Sequence, residues 1–110
     1  MLNKNYHSKY ILYPAVKEHQ IIQYLKDHKL KNLINTIITV IKPLENTLLK
    51  LYLKKGKLII QIMFNAAITP EIIEDTINII NRITQDYKQL LTIRKNRINE
   101  NRLNIIRGFN

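Results

Sequence analysis

Alternation of apolar and polar residues is clearest between Leu48 and Phe64. Lys54-Lys55-Gly56-Lys57 interrupts two such runs and reads as the turn of a β-hairpin. Side chains alternate with a period of two, so register can be chosen by asking which pairing sorts the faces. With Leu53 opposite Leu58, Leu49, Leu51, Leu53, Leu58, Ile60, Ile62 and Phe64 share one face. Lys50, Tyr52, Lys54, Lys57, Ile59, Gln61 and Met63 share the other. Pairing Leu53 with Lys57 mixes the two sets and is rejected. The register allows a two-residue or a four-residue loop, and Gly56 supplies the positive φ that either uses.

Helical spacing governs the flanks. Pro14 suits a helix start, and Ala15 to about His28 is expected to be helical, with Ile21, Ile22 and Leu25 on one side. From Lys29 to Ile41, Leu30, Leu33, Ile34, Ile37 and Ile41 recur at helical intervals. One bent helix and two separate helices both fit, and Pro43 ends whichever forms. Thr69-Pro70-Glu71 combines a hydroxyl N-cap, a proline at the first helical position and an acid near the positive dipole end. The helix it starts is expected to run to about Thr84 and to bury Ile72, Ile73, Thr76, Ile77, Ile80 and Ile83. Gln85-Asp86-Tyr87 turns the chain, and Lys88 to Arg94 is expected to be a strand with Leu91 and Ile93 facing the helix. The expected organisation is an N-terminal extension over 1–13, one α+β domain over 14–94 and a basic tail over 95–110. In the extension, Tyr6, Tyr10, Ile11, Leu12 and Tyr13 suit a short extended segment docked on the domain.

At 110 residues and 45% hydrophobic, the chain can bury one modest core. It has no cysteine, which excludes disulfides and thiolate chemistry. Neither a signal-peptide apolar core nor a run long enough for a membrane span is visible, so a cytoplasmic protein with no membrane partner is expected. His7, His19 and His28 lack the spacing of a helical metal site, and no metal or cofactor is expected. Only Gly56 and Gly108 are glycines, too few for a phosphate-cradling loop or a GxxG clamp. Ser8 is the sole serine and an implausible nucleophile, and Glu71, Glu74 and Asp75 fit helix-dipole partners better than a catalytic pair. The expectation is a protein that is not an enzyme.

The net charge of +10 is unevenly distributed. Residues 1–57 carry eleven Lys/Arg and three Asp/Glu, residues 58–91 two and four, and residues 92–110 five and one. Such asymmetry points to a polyanionic partner, although a chain rich in Ile, Asn and Lys also carries lysine for compositional reasons. Two candidate groups follow. Lys50, Tyr52, Lys54, Lys55 and Lys57 form the hairpin's second face and tip, where lysines pair with phosphates and a tyrosine stacks on a base. The bland alternative is that these lysines keep a sheet surface soluble. Arg94, Lys95, Arg97, Arg102 and Arg107 form the second group, where guanidinium forks match phosphate oxygens.

Residues of about 30–94 resemble the DciA family, bacterial proteins associated with the replicative helicase. The resemblance rests on Ile41-Lys42-Pro43-Leu44, on Gly56-Lys57-Leu58-Ile59-Ile60-Gln61-Ile62, on Asn65-Ala66-Ala67, on the helix ending at Ile83, and on Leu90-Leu91-Thr92-Ile93-Arg94. The chain departs from the family in having no tryptophan before that helix and in opening it with Pro70. The resemblance implies a small KH-like ββαβ core without a GxxG loop, affinity for single-stranded or duplex DNA, and contact with a DnaB-type helicase. The expected function is non-enzymatic nucleic-acid binding that assists helicase loading or operation in DNA replication. A ribosome- or RNA-associated KH-like assembly factor and a protein-binding adaptor without nucleic-acid contact are the alternatives.

Overall fold

A computed structural model of the chain describes residues 10–98. The elements follow in the order β1 (Ile11–Leu12), α1 (Glu18–Asp27), α2 (Lys31–Ile41), β2 (Leu48–Lys54), β3 (Lys57–Asn65), α3 (Pro70–Ile83), a 3-10 turn (Gln85–Tyr87) and β4 (Leu91–Ile98). The protein is an α+β domain with a mixed sheet of four strands in the order β1-β2-β3-β4. β1 runs parallel to β2, β2 antiparallel to β3, and β3 parallel to β4.

The hairpin register is the expected one, with Leu53 opposite Leu58. The loop is the two-residue form. Lys55 and Gly56 both have positive φ, at 53° and 78°, the pattern of a I′ turn whose twist matches its strands. Leu49, Leu51, Leu58, Ile60, Ile62 and Phe64 are buried on the sheet face that carries the helices, beside Ile21 and Leu25 of α1, Ile34, Ile37 and Ile41 of α2, and Ile73 and Ile80 of α3. All three helices therefore cover one face of the sheet.

Two separate helices precede the hairpin. Lys29 adopts φ 57°, the Leu30 amide donates to the Leu25 carbonyl at 2.8 Å, and the Lys29 amide donates to the Lys26 carbonyl at 3.2 Å. This is the Schellman arrangement, and its Leu25 and Leu30 are both buried in the core. Glycine usually takes the left-handed position, so the lysine there hid the break. α1 starts at Glu18 rather than Ala15, because residues 15–17 form a turn in which the Lys17 amide donates to the Pro14 carbonyl. Ile22, expected inside, is 40% exposed.

α3 starts as expected, with Thr69 Oγ1 accepting from the Ile72 amide at 3.3 Å. Ile73, Thr76 and Ile80 are its buried residues, whereas Ile72 lies at the flank of the stripe and is 42% exposed. The last strand differs most. Expected over 88–94, it spans Leu91–Ile98. Hydrogen bonds from the Tyr87 amide to the Thr84 carbonyl and from the Leu90 amide to the Tyr87 carbonyl keep residues 88–90 turning. Beyond Arg94, β3 continues to offer partners as far as Asn65, opposite Ile98. Lys95 and Arg97, expected in a tail, are therefore strand residues. Ile11 and Leu12 dock as expected, and they do so as a sheet strand. No helix among the described residues is long and apolar enough to cross a membrane.

Candidate nucleic-acid interface

Pairing across three strands decides which basic side chains meet. In the register, Lys50 stands opposite Gln61 and Gln61 beside Arg94. With neighbouring strands about 4.8 Å apart, Lys50 and Arg94 stand about 10 Å apart along one row. The next row toward the hairpin tip is Tyr52, Ile59 and Thr92, and the last is Lys54 and Lys57. These rows lie on the sheet face opposite α1, α2 and α3, which for the described residues is called the open face.

The open face is polar near the turn and apolar at its other end. Gln61 Nε2 donates to Asn96 Oδ1 at 2.7 Å, which ties β3 to β4 across the face. Lys50 Nζ lies 5.6 Å from the centre of the Tyr52 ring, within cation–π range. Lys54 and Lys55 are exposed, and Lys50, Tyr52 and Lys57 are half-buried. Strands β2, β3 and β4 contain no acidic residue, so nothing on them neutralises this surface. Further from the turn, Leu12, Leu48, Met63 and Ile98 form a buried apolar cluster, and Ile59 is also buried. The accessible side chains of the face are thus the polar ones of its turn-proximal half, Lys50, Tyr52, Lys54, Lys57 and Arg94, set around the buried Ile59.

β4 splits the second candidate group. Thr92, Arg94 and Asn96 point to the open face, and Lys95 and Arg97 pair with the core-facing Ile62 and Phe64. Arg94 thereby joins Lys50, Tyr52, Lys54 and Lys57. Arg97 instead acts as a clamp. Its Nη2 donates to the carbonyls of Ala66 at 2.6 Å and Ile68 at 3.0 Å. It fastens the loop between β3 and α3, and the Asn65 side chain supports that loop by accepting from the Ala67 amide at 2.8 Å. Lys95 is exposed beside Arg97, at a small hollow that also includes Phe64, Pro70 and Ile73. Arg102 and Arg107 lie outside the described residues, as do Tyr6, His7 and Ser8. Asn96 is not legible as a surface residue from sequence, because its partner, Gln61, is 35 positions away.

The turn that presents the lysines is braced from the helix layer. Tyr24 of α1 donates its hydroxyl to the Leu90 carbonyl at 2.7 Å and lies 3.4 Å from the Gly56 carbonyl. Burial raises the pKa of this phenol above its ordinary value, against the lowering effect of a hydrogen bond from the Leu58 backbone. Among the described residues, no three His, Cys, Asp or Glu side chains converge as a metal cluster would require. No family model, curated protein or solved structure matches the chain.

Proposed function

We propose that the protein binds nucleic acid, without catalysis, through the turn-proximal half of the open sheet face. The observation that carries this reading is the gathering of Lys50, Lys54, Lys57 and Arg94 around Tyr52 on strands that contain no acid. Spaced cations engage successive phosphates and release counterions, and a tyrosine between them offers a base a stacking plane. Gln61, in the row of Lys50 and Arg94, adds an amide group for base or sugar edges. On this reading Arg97 and Lys95 contribute long-range field rather than contact. The resemblance to DciA proteins extends the proposal to a cytoplasmic factor that assists a DnaB-type helicase in DNA replication.

The test is binding of labelled single-stranded DNA, duplex DNA and structured RNA across a salt series. Affinity should fall steeply with salt. Replacing Lys50 and Arg94 by Gln should flatten the slope by about 0.9 per charge on duplex, or about 0.7 on a single strand. No binding at low salt, or an unchanged slope in the double variant, sinks the proposal. Preference for structured RNA over both DNA forms would favour the assembly-factor alternative. Capture of a helicase by the tagged protein, retained after nuclease treatment, tests the helicase extension separately.

A further inference from the structure

A second surface lies on the other side of the sheet. Between α1, α2 and β1 is a groove of about 130 Å3. Its floor is Ile11, Leu25 and Ile34, all buried, and Tyr13 and Ile22 form its walls. Each helix contributes residues at i, i+3 and i+4, namely Ile22, Leu25 and Lys26 from α1 and Lys31, Ile34 and Asn35 from α2. This spacing gives each helix at least one apolar contact in the groove and one exposed lysine at its mouth. The volume is close to the ~150 Å3 apolar cavity that suffices for a benzene ring.

We propose that this groove docks an acidic peptide segment of a partner protein, with one aromatic or branched aliphatic side chain as its anchor. Charge selects this occupant. Lys26 and Lys31 flank the mouth, and Lys29 stands exposed on the turn between them. Asp27, the one acid of that turn, accepts from Gln23 Nε2 at 2.7 Å and sets one negative charge against the three lysines, which leaves the turn basic. Glu18 acts at the opposite end, beside Tyr13. The peptide's carboxylates therefore lie toward the α1–α2 turn and its anchor on Ile11, Leu25 and Ile34. A second copy of this chain is a poor occupant, because its own excess of basic residues would repel the mouth. The groove is separate from the open face, so docking here does not depend on nucleic-acid binding.

The probe is a short synthetic peptide with one Phe flanked by Asp and Glu, titrated into isotope-labelled full-length protein and followed by amide chemical shifts. Shifts at Ile22, Lys26, Lys31 and Asn35 are expected. Affinity should fall at least about tenfold in Lys26→Glu/Lys31→Glu. Ile22→Asp, at an already exposed position, should abolish the same shifts, with a thermal melt confirming the fold. A peptide with Ser in place of Phe, or with Gln in place of its acids, should bind more weakly by a similar factor. Shifts confined to Lys50, Tyr52 and Arg94, no shifts at millimolar peptide, or equal binding of either control peptide would each overturn the proposal. So would displacement of the peptide from the groove by a single-stranded oligonucleotide.

Discussion

Arg94 and Arg97 stand three residues apart on one strand, carry the same charge and are both exposed, yet the fold gives them different work. Arg94 faces the open side beside Gln61, with Lys50 beyond it. Arg97 faces the helix side, where it holds the carbonyls of Ala66 and Ile68. An odd separation along a strand puts two side chains on opposite faces, and that alone separates a surface cation from a structural clamp. Charge counts treat the two as equal. The face on which each lies decides what its charge can touch.

Replacing residues on the two faces breaks this comparison most strongly at the core. Ile60→Ala should cost roughly 2–5 kcal/mol in denaturant unfolding, since the side chain is fully buried under the helices. Its neighbour Gln61, on the open face, should cost far less, chiefly its bond to Asn96 at about 1 kcal/mol. Similar losses at both positions would mean that Gln61 is packed as tightly as Ile60 and that the cationic row beside it is not a free surface.

The turn should respond next. Gly56→Val should cost about 1–2 kcal/mol, because φ is 78° and no atom lies near the added Cβ, leaving backbone strain as the cause. Lys55 already occupies a positive-φ position, so Lys55→Asn should raise stability by up to about 1 kcal/mol. A loss of stability in Lys55→Asn, read from the thermal midpoint, would contradict the I′ turn.

The arginine pair sharpens the comparison directly. Arg97→Ala should lose about 1 kcal/mol of stability, with little change in the salt slope of nucleic-acid binding. Arg94→Ala should change stability by no more than about 0.5 kcal/mol and should flatten that slope. The reverse pattern would place the ligand on the helix side of β4.

Tyr24 braces the hairpin turn from the helix layer. Its raised pKa favours the neutral phenol in the folded state. The associated stability is fully present below the ordinary tyrosine pKa of about 10 and is lost as pH rises through the higher folded value. Alkaline unfolding of the wild type should therefore exceed that of Tyr24→Phe, which cannot ionise there. The smallest effect is expected at Thr47, whose buried Oγ1 has no hydrogen-bond partner. Thr47→Val keeps the shape, removes an unsatisfied hydroxyl, and should be neutral or slightly stabilising by melting temperature.

Period-two patterning by itself determined the hairpin register, because one slip would have exposed Leu53 and its partners to the wrong face. The Thr69-Pro70 cap determined where α3 begins, since capping is a local hydrogen-bond problem solved within one turn. The lysines of the hairpin face were legible for the same reason as the core. Tertiary structure decided what local pattern cannot encode. The adjacent charges Arg94-Lys95 look like the start of a tail until β3 supplies a pairing edge as far as Asn65. Lys29 looks like helix until the Leu30-to-Leu25 hydrogen bond and the burial of both leucines hold its left-handed backbone. The union of Lys50 with Arg94, and the diversion of Arg97 to the α3 loop, depend on β4 lying parallel beside β3. Strand neighbours far apart in sequence are chosen by burial of the whole sheet and leave no trace in the spacing of any one segment.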